Sequence, residues 1–304
     1  MNSSLVGTLL IAIAATLWAT DSLFRVPAVQ SVHPTFIVLF EHVIGVIVLL
    51  TWTCLRDRKR LLGHSFKSWI SLFFIGFGGS AFATVLFTAS FLYINPSVAI
   101  LIQKLQPIVV ILLAFLFLGE KPKASFWGWA LVAIAAALVV SFPGLDFHFL
   151  ALMIHGGIDL HSQGVIYALL AAVLWGAATV VGKSVSSNLA PVIVTFWRYF
   201  FGLIALLLLF YIGGESIPVA ALHQTSTLRP LIYIAFFPGL TALLFYYSGL
   251  RRASAITATF TELLYPVSAV VLNWVFLGAS LNIVQILGGI VLLYSVFQIS
   301  VLFA

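Results

Sequence analysis

Charge is what this sequence has least of. Asp, Glu, Lys and Arg make up 7% of its 304 residues and hydrophobic residues 62%, whereas an ordinary soluble domain is about 25% charged. No soluble core could hide this much apolar surface. Cysteine is almost missing as well: Cys54 is the single one, which excludes an intramolecular disulfide and a cysteine-rich metal site. The chain has no Walker phosphate loop, no dinucleotide glycine fingerprint, no His-Glu-x-x-His and no Gly-x-Ser-x-Gly, so neither ATP-driven pumping by this chain alone nor a familiar hydrolase site is expected. No basic stretch precedes the first apolar run, which therefore reads as a retained helix rather than a cleaved signal.

What the sequence has in abundance is long apolar runs. They mark ten candidate spans at about 5–25, 34–55, 68–92, 97–118, 124–142, 164–183, 191–212, 229–250, 255–277 and 281–303, most of them long enough to cross a hydrocarbon core of about 30 Å as a helix. The expected fold is an all-α, multi-pass integral membrane protein. The formal charge of +6 then speaks of topology and not of nucleic acid. Arg56, Arg58, Lys59, Arg60 and Lys67 form the densest basic cluster, and the positive-inside rule places their loop in the cytoplasm. Alternating ten spans puts Lys121, Lys123, Lys183, Arg251 and Arg252 on that same side, with both termini cytoplasmic.

The chain is also written twice. Leu17-Trp18, Pro34 and Gly45 recur as Leu174-Trp175, Pro191 and Gly202 at an offset of 157 residues; Pro107 and Phe117-Leu118-Gly119 recur as Pro266 and Phe276-Leu277-Gly278 at an offset of 159. Five spans per copy is an odd number, so equivalent loops face opposite sides and the halves are inverted. Lys121 and Lys123 follow Gly119, and no lysine follows Gly278, as an inner and an outer copy require. The expected organisation is a five-helix repeat at 1–142, an outer connecting loop at 143–163 and a second repeat at 164–304.

Ionisable side chains inside spans each cost on the order of 2.5–3.5 kcal/mol at the centre and so call for a reason. The clear cases are Glu41, His42, Lys104, Arg198 and Glu262, with Asp21 a lesser one. Counting helical rise puts Glu41 and Lys104 roughly 10 Å from the outer surface and Arg198 and Glu262 at a similar depth from the inner one. Two opposite-charge pairs are expected, Glu41 with Lys104 and Arg198 with Glu262. Such pairs line a polar cavity for charged or zwitterionic solutes, or merely fasten helices together. Pro107 and Pro266 remove the helical donor for the carbonyls of Gln103 and Glu262, and irregular backbone at this depth lines a cavity or is buried in protein. Gln106 and the hydroxyl row Thr257, Thr261 and Tyr265 extend the polar face. Trp18 and Trp175 lie too deep for interface anchors; they offer stacking surfaces or plain core packing, and the same holds for Trp197, Phe245, Tyr246 and Tyr247. His42 and Asp21 are candidates for proton binding, although a neutral, hydrogen-bonded His42 is the plainer expectation. Asp21 and Arg25 form an ordinary i, i+4 pair near the outer end of the first span. His155, Asp159 and His161 are a remote metal candidate at non-standard spacing.

On Leu17-Trp18 and its copy, on Pro34 through Gly45 and its copy, and on Pro107 through Glu120-Lys121 with its shortened copy, the chain resembles the drug/metabolite transporter superfamily, in particular its EamA-type ten-helix exporters. The resemblance implies two inverted five-helix bundles around a central cavity, and export of small metabolites such as amino acids, nucleobases or toxic compounds. The family commonly has arginine at the positions of Glu41 and Arg198; Arg198 follows the pattern and Glu41-His42 departs from it. The expected function is a secondary transporter of a small polar or amphipathic metabolite, working by alternating access in a bacterial inner membrane. The first four spans of each half would line the path, with Glu41, His42, Gln103, Lys104, Gln106, Trp197, Arg198, Glu262, Trp18, Trp175 and Tyr265 as substrate-binding residues. No catalytic residue, resident metal or cofactor is expected. The expected partners are the small-molecule substrate, the lipid bilayer and protons as candidate coupling ion, with no nucleic acid, in a monomer or homodimer. The competing class is a non-transporting membrane protein, an enzyme or assembly factor, whose buried charges are structural.

Overall fold

The computed structural model describes residues 3–56, 61–94, 96–141, 160–277 and 283–302. Regular structure among them is entirely helical. The helices of the first half are α1 (Ser3–Ala28), α2 (Pro34–Arg56), α3 (Phe66–Ser90), α4 (Pro96–Gln103), α5 (Gln106–Leu118) and α6 (Ala124–Ser141). The second half has α7 (Leu160–Ser186), α8 (Pro191–Ile212), the short α9 (Val219–Leu222), α10 (Thr225–Leu250), α11 (Ala255–Thr261), α12 (Leu264–Leu277) and α13 (Ile283–Leu302). Seven helices among the described residues are long and apolar enough to cross a membrane: α1, α2, α3, α7 from Gln163 onward, α8, α10 and α13. The chain is a multi-pass membrane protein.

The expected fourth and ninth spans are not single helices. Each is two short ones, broken where the sequence pointed, because Pro107 and Pro266 cannot donate to the carbonyls of Gln103 and Glu262. Helix α4 ends at Gln103, helix α11 ends at Thr261, and two-residue turns at Lys104-Leu105 and Glu262-Leu263 lead into α5 and α12. A second irregularity was not expected. Helix α3 widens to a π-helix over Ile75–Phe82 and helix α10 over Ala235–Thr241. In α10 the cause is Pro238, whose missing N–H leaves the carbonyl of Ile234 without its helical donor; in α3 the same stretch holds Gly78-Gly79. Single π-turns of this kind are found mostly at functional sites.

Packing across the chain comes in exchanged pairs. Helix α1 lies against α10 and α12, and its counterpart α7 lies against α3 and α5; α2 crosses α8, and α6 runs along α13. Large apolar side chains such as Leu55, Phe117 and Tyr211 point outward, as a lipid-facing surface requires. The basic residues at 57–60, the residues at 278–282 and most of the connecting loop, including His155 and Asp159, lie outside the described residues.

The Gly-Glu ending of α5 has a structural use. Gly119 takes the left-handed conformation with φ of 68°, a C-terminal turn glycine adopts without strain. The next residue, Glu120, is aimed at the start of α11: Oε1 accepts from the Ala255 N–H at 2.8 Å and Oε2 from the Ile256 N–H at 3.1 Å. A carboxylate is favoured at this positive helix end. Glu120→Ala is expected to destabilise the protein by about 0.5–2 kcal/mol, the usual range for a lost cap, with Glu120→Gln in between. Thermal melts of the purified variants in detergent read this directly, and an unchanged Tm for Glu120→Ala would remove the cap from the account.

Candidate functional site

Helix α1 carries Asp21 and Arg25 one turn apart, and the Arg25 guanidinium sits inside the bundle, 4% exposed. Its Nε and Nη2 donate to the two carboxylate oxygens of Asp21, Nη2 also donates to Glu41 Oε2 at 2.9 Å, and Nη1 reaches Thr88 Oγ1 at 3.3 Å. A planar fork with five donors can serve two carboxylates at once. Glu41 on α2 is thereby paired with Arg25, and the expected partner Lys104 is not within ion-pair distance among the described contacts. Arg25 had been placed at the outer end as half of an ordinary pair; buried inside the bundle, it is the centre of a triad.

The expected Arg198–Glu262 pair is also absent. Arg198 on α8 donates to neutral oxygens: Nε to Ser80 Oγ at 3.1 Å, Nη2 to the Gly79 carbonyl at 3.1 Å and Nη1 to Tyr247 Oη at 3.0 Å. Gly79 and Ser80 belong to the π-turn of α3, where the backbone is free to offer a carbonyl sideways. Gly79 also admits α7, since a Cβ there would stand 2.4 Å from the Ala178 methyl.

Ser80 links Arg198 to His42. His42 Nδ1 lies 2.7 Å from the Val38 carbonyl and Nε2 lies 2.9 Å from Ser80 Oγ. A carbonyl only accepts, so Nδ1 carries the proton. Ser80 then donates to Nε2 while accepting from Arg198, and every group in the chain is satisfied with a neutral imidazole. This arrangement supports the plainer expectation for His42 and leaves no free nitrogen for a travelling proton.

The two helix breaks bring a third group together. Lys104 stands over the Tyr265 ring, 4.5 Å from its centroid. Glu262 Oε2 accepts from Gln106 Nε2 at 3.1 Å, and Glu262 Oε1 is buried with no partner. These groups share one cavity. It is lined by Trp18, Asp21, Arg25, Glu41, His42, Gln103, Lys104, Gln106, Trp175, Arg198, Glu262 and Tyr265, with Ser80, Thr84, Thr179, Tyr199, Gly239, Tyr246 and Thr259 completing the polar wall. Trp18 contacts Tyr246 at 5.2 Å between centroids, and Trp175 contacts Phe87 at 5.1 Å. The lining residues come from the first four spans of each half, and α6 and α13 supply none of them.

Trp197 is the expected site residue that lies elsewhere. Its indole donates to the Leu61 carbonyl at 3.1 Å and packs among Trp69, Phe200 and Phe201. It precedes Arg198 by one residue, a rotation of about 100° that turns it off the cavity face. The hydroxyl row fails for a related reason. Thr257 and Thr261 are fully buried within α11, and the turn at Glu262-Leu263 breaks the four-residue period, so of the expected row Tyr265 alone lines the cavity, with Thr259 beside it in place of the two threonines. Tyr247 serves Arg198 by its hydroxyl and Phe245 packs in the apolar core. Tyr199 was missed, although it stands 157 residues after His42 and so at its repeat position. Ser80 and Thr84 carry no periodic signal that would have found them.

A model of the EamA-like transporter family matches residues 5–142 and 162–301. Along its whole length the chain is similar to the riboflavin transporter ImpX of Fusobacterium nucleatum, 29% identical over 99% of each chain. An uncharacterized transporter of Clostridium kluyveri is 24% identical over 93% of this chain and 89% of its own. A riboflavin transporter of Rhizobium johnstonii is 27% identical over 59% of this chain and 53% of its own. A solved crystal structure superposes with a TM-score of 0.76 at 18% identity, covering all of this chain and 98% of that one, a likeness of fold.

Proposed function

Because this chain belongs to the EamA-like transporter family, we propose that it is a secondary transporter that moves a small amphipathic metabolite through the central cavity by alternating access, and that riboflavin is such a substrate. The observation that carries the proposal is the cavity itself: ring faces of Trp18, Trp175, Tyr246 and Tyr265 stand beside unspent hydrogen-bonding groups, at helix breaks deep in the bundle. A planar ring system with a polyol tail fits walls of that kind, and two relatives bear the name of riboflavin transporter. The exchanged packing of α1 and α7 supports the two-repeat organisation at 1–142 and 164–304; ten crossings with cytoplasmic termini, in a bacterial inner membrane, are part of the proposal. Outward transport, proton coupling and a monomer or homodimer belong to the same proposal. Glu262 is the carboxylate placed to exchange a proton, since Arg25 holds Glu41 and both nitrogens of His42 are engaged.

Counterflow in proteoliposomes tests this without assuming a direction. Riboflavin trapped inside should drive saturable exchange of external labelled riboflavin, and free amino acids should not compete. Absence of exchange overturns riboflavin as substrate. Exchange that ignores an imposed pH gradient overturns proton coupling and leaves facilitated diffusion. Trp197→Leu is expected to lower Tm and to leave the riboflavin affinity within twofold of wild type, because that indole faces the aromatic cluster; a larger loss of affinity would return Trp197 to the site.

A further inference from the structure

Two side chains at equivalent helix breaks line the cavity and are short of partners. Among the described residues the Lys104 ammonium makes no hydrogen bond and has the Tyr265 ring as its contact. Glu262 spends Oε2 on Gln106 and leaves Oε1 buried without a hydrogen bond, the nearby Tyr246 hydroxyl being engaged with Thr179. The two are further apart than an ion pair, so neither satisfies the other. A buried polar group left unpaired carries its full desolvation penalty. One ligand edge offering a hydrogen-bond donor beside an acceptor would relieve both.

We propose that Lys104 and Glu262 form a subsite for the imide edge of a planar heterocycle, with Glu262 Oε1 accepting from the ring N–H and Lys104 donating to the adjacent carbonyl. Gln106 is the positioning residue: its amide holds Oε2 at 3.1 Å and so leaves Oε1 as the oxygen for a ligand. The Tyr265 ring fixes the height of the ammonium, and Trp18 with Tyr246 offers faces for the ring. A polyol or a simple amine presents no such edge. The inference rests on the riboflavin proposal in that the isoalloxazine ring carries one, an N–H flanked by two carbonyls. It also gives Gln103-Lys104 and Glu262 a common purpose: one helix break supplies the donor and the other the acceptor.

Blocking that one N–H isolates the contact. Binding to purified protein is followed by flavin fluorescence quenching with riboflavin, 3-methylriboflavin and lumichrome, which keeps the imide and lacks the sugar chain. Wild type is expected to bind riboflavin at least tenfold more tightly than the 3-methyl derivative. In Glu262→Leu the two should bind alike. In Gln106→Leu the preference should shrink with the carboxylate still present, a change that a merely structural role would not produce. Lys104→Met should weaken both ligands together and keep the preference. If wild type binds riboflavin and its 3-methyl derivative equally, the subsite is overturned while riboflavin stands as substrate. If lumichrome binds with the expected Glu262 dependence and riboflavin does not, the subsite stands and riboflavin falls. Binding of none of the three overturns both. The wild-type comparison decides even if a variant fails to fold.

Discussion

Arg25→Met is expected to be the most damaging single change in the molecule, costing about 3–5 kcal/mol, the range found when one member of a buried ion pair is removed. The guanidinium holds two carboxylates, Asp21 and Glu41, and both it and Glu41 are more than nine-tenths buried. Methionine fills most of the volume and supplies no charge, so the loss reports electrostatics rather than a cavity. Two carboxylates would be left facing each other in the bundle with Thr88 as the nearest hydroxyl of the former network. Thermal melts and detergent-solubilised yield measure the effect. Arg25→Lys should fall between the two, because an ammonium is a point charge and cannot fork to Asp21 and Glu41 together. The double variant Arg25→Met/Glu41→Gln should recover part of the loss, since residues in one network are not additive. A Tm for Arg25→Met equal to that of wild type would mean the triad contributes nothing.

That triad has no counterpart in the other half. The positions 157 residues after Asp21 and Arg25 are Ala178 and Gly182. With no carboxylate on α7 to pair with it, Arg198 turns to the π-turn of α3 and to Tyr247, whose ring lies 3.2 Å from where a Gly182 Cβ would be. The acidic residue at position 41 therefore needs its own cation nearby, and the arginine at position 198 is served by neutral oxygens. The halves share a backbone plan and solve their charge problem in different ways.

This is why some of the site was legible in the sequence and some was not. Helix breaks could be placed because a missing proline N–H acts locally, on a carbonyl four residues away. Membership of the cavity could be read for Glu41, Lys104, Arg198 and Glu262 because a charge inside an apolar span has few places to go. Partners could not be read. They depend on which faces of α1, α3 and α10 turn inward, and the π-turns at Ile75–Phe82 and Ala235–Thr241 shift the angular count of every residue after them. Arg25 lay close enough to a predicted span end to pass for a surface residue. Trp197 was assigned by its deep position in the span, while its neighbour Arg198 owned the cavity face.

Gly202→Ala is the second large effect expected, about 1–3 kcal/mol by the usual cost of overpacking a close contact. The repeated glycines sit where α2 crosses α8, and each seats the aromatic ring carried by the other helix. A Cβ on Gly202 would come within 2.6 Å of His42 Cδ2 and Nε2, and one on Gly45 within 2.9 Å of the Tyr199 ring. The two rings meet edge to face between them, with centroids 4.9 Å apart at 74°. Neither ring can yield cheaply. His42 is held at both nitrogens by Val38 and Ser80, and Tyr199 is 1% exposed, with its hydroxyl 3.0 Å from where a Gly239 Cβ would stand. The added methyl must therefore push the helices apart, and Ser80 would carry the strain onward to Arg198. The signature is non-additivity: Gly202→Ala and His42→Ala should each lower Tm, and the double variant should lie above their sum because the methyl then occupies the space the imidazole vacates. Additive losses, or a Gly202→Ala variant as stable as wild type, would show that the α2–α8 crossing has room to spare, and the pairing of Gly45 with Gly202 in the sequence repeat would need another cause.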